Sequence, residues 1–137
     1  MPKFYRIINA LLIVTSDTGQ ETGYKKLLVW QIADKLAHRV YDLTQDFPKE
    51  EQFSLTPQLR RAVISVVANI IEGYGRFSKN EFRHFLSIAL GSLAEVEYYL
   101  EFSLKRGYLS KSQFVEVEEL RNKCGQLLWK LYRSQSK

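Results

Sequence analysis

Apolar residues recur along this chain at the i, i+3, i+4 spacing of an amphipathic helix, in four successive stretches separated by short polar breaks. In the first, Leu27 to Asp46, the stripe is Val29, Ile32, Ala33, Leu36, Val40, Leu43 and Phe47, with Gln31, Asp34, Lys35, His38, Asp42 and Gln45 opposite. Pro48 stops it, because proline has no N–H for the helix ladder. The third stretch, Lys79 to Lys105, carries Phe82, Phe85, Leu86, Ala89, Leu93, Val96, Leu100 and Leu104. The fourth runs from Ser110 through about Arg133, with Phe114, Val117, Leu120, Cys124, Leu127, Leu128 and Leu131 in line. The connections are short, which favours antiparallel neighbours. The pattern therefore predicts an all-α, antiparallel up-down-up-down four-helix bundle.

The second stretch, Pro57 to Glu72, is more apolar than one buried face requires. At about 100° per residue, Leu59, Ala62, Val63, Ile64, Val66, Val67, Ile70 and Ile71 cover well over half the circumference. A surplus of this kind needs a cover, or it becomes an exposed patch. The candidate covers are the N-terminal residues and another subunit, and Ile64, Val67 and Ile71 are the expected contact positions. Local signals frame the helix. Thr56 is the expected N-cap and Pro57 the first helical residue. Gly73 and Gly75 offer backbone freedom where the helix stops. Ser78 with Glu81, and Ser110 with Gln113, read as capping boxes opening the third and fourth helices, and Gly107 ends the third. Gly91 lies inside the third helix, either at a close helix crossing or merely tolerated on the surface.

Three blocks carry a resemblance: LLVWQIADKLAHRVYDLTQDFP, LTPQLRRAVISVVANIIEGYGR and SKNEFRHFLSIALGSLAEVEYYLEFSLKRGYL. They resemble the four-helix-bundle family first described from reading frames inside intervening sequences of bacterial large-subunit ribosomal RNA genes. The accessory proteins of diversity-generating retroelements are similar. The match runs from about Leu27 to Tyr132. It implies a small, non-enzymatic bundle that forms rings, often pentamers, with nucleic-acid binding in some branches.

Composition adjusts this picture modestly. A length of 137 residues suits one domain, with residues 1–26 as an N-terminal arm or extension and 27–137 as the bundle. Lys3 and Arg6 ahead of Ile7, Ile8 and Ala10–Val14 imitate a signal peptide, but Asn9 interrupts the apolar run and no small-residue cleavage pattern follows. The run is far shorter than the roughly 20 apolar residues a membrane span needs. The expectation is no membrane association and a cytoplasmic location. The single cysteine, Cys124, sits at apolar spacing and reads as a core thiol.

Few residues suggest chemistry. Glu81 and His84 form one E-x-x-H, but a di-iron bundle needs a second copy and two more inward carboxylates. No nucleophile–base set or phosphate loop is present in the sequence, so neither catalysis nor a cofactor or metal is expected. Gln58, Arg61, Ser65, Asn69 and Glu72 form a narrow polar stripe on the second helix, and within it Arg61, Asn69 and Glu72 stand out. It reads as a polar network fixing helix register, or as the lining of a pore or ligand site. The net charge is +5, and no acidic residue follows Arg121. Lys123, Lys130 and Arg133 share the outward side of the fourth helix, and Arg76, Lys79 and Arg83 cluster near the second turn. Solvated helix ends explain such charges in part, since cations suit a helix C-terminus. The alternative is a phosphate-binding patch that ring assembly would repeat. The expected function is a homo-oligomeric bundle, pentamer favoured, that binds RNA or DNA electrostatically or scaffolds a nucleic-acid-processing protein. The competing expectation is a structural or protein-interaction module with no nucleic-acid role.

Overall fold

The computed structural model describes residues 23–135. The expectations for the N-terminal arm fall on residues 1–22 and lie outside the described residues. A 3-10 turn, Gly23–Lys26, leads into α1 (Leu28–Thr44), and a second, Lys49–Glu51, precedes α2 (Leu55–Tyr74). Then come α3 (Lys79–Lys105) and α4 (Lys111–Ser134). Among the described residues there is no strand segment. Each helix packs on two neighbours, in the cyclic order α1–α2–α3–α4–α1. This is the expected up-down bundle.

The core is the set of predicted stripes brought face to face. Val29, Ile32, Leu36, Val40 and Leu43 of α1 meet Leu59, Val63, Val66 and Ile70 of α2, Phe82, Leu86, Leu93, Val96 and Leu100 of α3, and Val117, Cys124, Leu128 and Leu131 of α4. Removing these side chains from water supplies the dominant favourable term in folding. Cys124 is fully buried, and burial pushes its thiol up to about 12. The first helix ends two residues earlier than its apolar pattern suggests. Thr44 turns its hydroxyl back onto the Val40 carbonyl (2.8 Å), and Asp46 and Phe47 close the turn by bonding to Leu43 and Thr44.

The start of α2 corrects the expected cap. Thr56 lies inside the first turn, and Ser54 occupies the N-cap position without a side-chain cap bond. Glu51, projecting from the preceding 3-10 turn, does the work instead. Its carboxylate accepts from the Leu55 N–H at 3.4 Å and from the Ser54 hydroxyl at 2.6 Å. Pro57 is still within the first turn, where its missing N–H leaves no bond unmade.

The two glycines of the second turn also act differently from expectation. Neither adopts a positive φ, and Gly75 has φ −77°. Gly73 is buried inside α2 because α3 crosses there. A Cβ at Gly73 would stand 2.9 Å from Phe82 Cδ1 and 3.0 Å from Phe85 Cβ. Gly107, at φ +79°, does end α3 as a left-handed stop. Gly91 faces open space; the close glycine contact between α3 and α4 is at Gly125, whose Cβ would sit 3.3 Å from Leu93. Ser78 caps α3 by accepting the Glu81 N–H at 3.1 Å, whereas Ser110 and Gln113 complete both halves of a capping box at α4.

Candidate nucleic-acid interface

Up-down topology gathers one end of every helix at each end of the bundle. The start of α1, the end of α2, the start of α3 and the end of α4 therefore share one end. A direct contact ties two of them together. The Arg83 guanidinium of α3 lies over the Tyr132 ring of α4, 4.6 Å from its centroid. The two basic clusters read separately from the sequence thus meet. Lys25, Lys26, Arg76, Lys79, Arg83, Lys130 and Arg133 stand at this end against Glu72 and Glu81. The opposite end is mixed, with Asp46, Glu50, Glu51 and Glu101 among Lys49, Lys105, Arg106 and Lys111.

Each side chain is held differently. Arg76 pairs with Glu72 one turn back and covers the Phe85 ring at 4.7 Å. Arg83 is half-buried, and its Nε is buried without a hydrogen-bond partner. Lys130 and Arg133 are exposed on the last turns of α4. Helix-dipole attraction accounts for cations at the ends of α2 and α4. It does not account for Lys79, in the first turn of α3, where the dipole disfavours a positive charge.

Lys123 is separated from its expected partners. It lines a groove of about 530 Å³ between α1 and α4 with Lys35, His38, Arg39, Asp42, Glu116, Glu119 and Leu120. Three basic residues there face three carboxylates, and Arg39 and Glu116 pair directly across the helices. Arg121 is likewise occupied. It grips Glu118 with two bonds of 2.5 and 2.8 Å and reaches Glu97 on α3 at 2.7 Å. The acid-free stretch after Arg121 is therefore less uniform in space than in sequence.

The predicted stripe Arg61, Asn69 and Glu72 is not brought together. Asn69 donates to the Ser65 carbonyl (2.8 Å) and hydroxyl (3.1 Å), and Ser65 Oγ meets Ser92 Oγ of α3 at 2.8 Å. The polar link across α2 and α3 is thus Asn69–Ser65–Ser92, with Ser65 in the middle. Arg61 is exposed, and Glu72 belongs to Arg76. Its neighbour Arg60, not singled out in the sequence, is the more tightly held arginine: it donates to Thr44 Oγ1 at 2.8 Å and covers the Tyr41 ring at 4.5 Å.

On the surplus apolar arc of α2, Ile64 is 45% exposed, while Val67 and Ile71 are half-buried. Ile64 and Val67 line a shallow groove with Ala37, His38 and Tyr41 of α1. Glu81 serves the α3 cap, and His84 rests edge-on against Phe85 at 5.4 Å. Among the described residues, no group of three or more His, Cys, Asp or Glu could hold a metal ion. Among them, too, no helix is long and apolar enough to cross a membrane.

The sequence profile described as 23S rRNA-intervening sequence protein matches residues 25–130. The chain belongs to the 23S rRNA-intervening sequence protein family. A solved crystal structure of a protein of unknown function from the S23 ribosomal protein family, from Bacteroides thetaiotaomicron, is 26% identical to it. The superposition has a TM-score of 0.72 and covers 77% of this chain and 96% of that one. No match was found among curated proteins. The span that matches the intervening-sequence profile takes in the four helices almost whole, and with them every basic residue at the charged end except Arg133.

Proposed function

We propose that this intervening-sequence family member is a non-enzymatic, homo-oligomeric bundle that binds RNA or DNA through its basic end, without reading sequence. The observation that carries the reading is the Arg83–Tyr132 contact, which joins the α3 and α4 clusters into one surface. Lys79, Arg83, Lys130 and Arg133 are its principal phosphate contacts, with Arg76 shared between Glu72 and the ligand. Lys123, set among carboxylates, contributes little. Phosphate contact alone gives weak affinity per subunit, roughly 10⁻⁴ to 10⁻⁶ M at physiological salt, and log affinity that falls linearly with log salt.

Assembly supplies the avidity that one weak patch lacks. A second copy covering Ile64, Val67 and Ile71 would bury the apolar ridge of α2 and set several basic ends side by side. A closed pentamer is the assembly favoured by the family resemblance.

The test is binding of duplex DNA and structured RNA across a salt series. Replacing Lys79, Lys130 and Arg133 together with Ala should weaken binding to all sequences alike and flatten the salt slope. Lys123→Ala should change little. If the wild type fails to bind at low salt, the reading falls and a protein-interaction role takes its place.

A further inference from the structure

The basic end also carries aromatic surface. Trp129 is 50% exposed and lies nearly parallel to Tyr132, with centroids 5.5 Å apart and 17° between planes. Tyr132 in turn takes the Arg83 guanidinium at 4.6 Å. Phe77, in the α2–α3 turn at the same end, is 88% exposed. Leaving an indole and a phenyl ring in water has a cost that core packing does not explain here. Other aromatics are exposed as well: Phe53, Tyr98 and Phe102 border a groove that includes Glu51. Those lie at the mixed-charge end, where the carboxylates Glu51 and Glu101 would repel a phosphate chain. Tyr41 is exposed beside Arg60 and Arg61, but Arg60 already covers its ring. At the α2–α3 turn and the α4 C-terminus, exposed rings coincide with a basic excess and the Trp129 indole is half-exposed.

Building on the nucleic-acid reading above, we infer that the ligand is single-stranded, with an unpaired base lying on the Trp129 ring while Lys130, Arg133 and Arg83 hold the neighbouring phosphates. In a duplex both faces of every internal base are already stacked, so an aromatic side chain has no ring to cover. An unpaired base offers its π-face whatever its identity, so stacking adds affinity without sequence preference. Trp129 is well suited to this. Tyr132 supports its inner side, so the indole need not be ordered at the moment of binding. Phe77 is the second ring that the strand would meet.

The experiment compares a mixed-sequence single-stranded DNA oligonucleotide with the duplex formed from it and its complement, at one low salt concentration. The expected result is tighter binding of the single strand. Trp129→Ala should weaken single-strand binding roughly tenfold, the size of one base–aromatic stack, and leave duplex binding unchanged. Trp129→Phe, which keeps a ring, should retain most of the affinity. The chain has two tryptophans, so a Trp30→Phe background makes Trp129 the sole reporter, and the single strand should quench its fluorescence. Circular dichroism of each variant checks the fold. If the protein binds both probes and Trp129→Ala changes neither, or weakens both equally, the stacking is wrong and the charge reading stands. If neither probe binds, both fall.

Discussion

The Tyr108 hydroxyl donates to the Glu51 carboxylate at 2.7 Å, tying the turn between α3 and α4 to the connection between α1 and α2. The same carboxylate takes Ser54 Oγ and the Leu55 N–H, so one side chain starts α2 and pins a second turn to it. The Ser54 and Tyr108 hydrogen bonds hold Glu51 below its ordinary value of 4.5. A carboxyl whose folded value is depressed lends stability above its unfolded value and loses it as pH falls through the folded one. Urea midpoints of wild type and Glu51→Gln should therefore differ most near neutral pH and converge in acid below pH 4.5. A difference that stays constant with pH would show that Glu51 contributes packing alone.

Two glycine substitutions should act in opposite directions. Gly73→Ala drives a methyl group against Phe82 and Phe85 Cβ at the α2–α3 crossing. Overpacking of this kind should destabilise by about 1–3 kcal/mol despite the better helix propensity of Ala. Gly91→Ala meets nothing within 4 Å and should stabilise by about 0.5–1 kcal/mol. Chemical denaturation of the two variants decides both signs.

Arg121 should matter for stability rather than for ligand binding. Its side chain is only 12% exposed, and it joins Glu118 of α4 to Glu97 of α3. Arg121→Ala removes three charge-assisted contacts from a partly solvated site and should cost about 1–2 kcal/mol. Lys123→Ala, two residues on and exposed, should stay within about 0.5 kcal/mol. Equal effects in thermal melts would contradict the assignment.

The apolar ridge of α2 gives a direct test of assembly. Ile64 is exposed enough to accept a charge without disturbing the monomer core. Ile64→Asp should dissociate the oligomer while leaving the helical circular dichroism intact, and Ile71→Asp should do the same. Light scattering that finds the wild type monomeric at micromolar concentration would end the assembly proposal.

Cys124 should be unreactive in the folded protein. Burial among apolar side chains raises its thiol to about 12 from an ordinary 9.0, so almost no thiolate exists near neutral pH. Disulfide reagents should modify it only as the chain unfolds, faster with added urea. Because the folded value lies above the unfolded one, this site costs no stability below pH 9.0 and increasingly more as pH rises towards 12. Rapid labelling without denaturant would show that the core opens locally at α4.

The four helices were legible before any coordinate because their apolar residues repeat at helical spacing for several turns, and because Ser78, Ser110 and Gly107 carry their effect in local backbone chemistry. The α2 boundary was not legible. Glu51 outcompeted the expected Thr56 cap from outside the helix, through a turn whose geometry no periodicity encodes. Gly73 looked like a stop signal; it is a contact, and only the approach of Phe82 shows it. The Arg61–Asn69–Glu72 stripe shares one helix face, yet Asn69 bonds back to Ser65 and Glu72 pairs with Arg76 a turn further along; it is Ser65 that reaches Ser92 on α3, a partner set by how the neighbouring helix is rotated. The charged end is the clearest division. Which residues are basic is a property of the chain alone, and up-down topology already implies that the start of α3 and the end of α4 meet. That Arg83 lies on Tyr132, that Trp129 is left stacked and half-exposed beside it, and that Lys123 falls instead among carboxylates depend on the rotation of each helix about its own axis. That rotation is settled by how the core packs, a long-range property that sequence spacing along one helix does not contain.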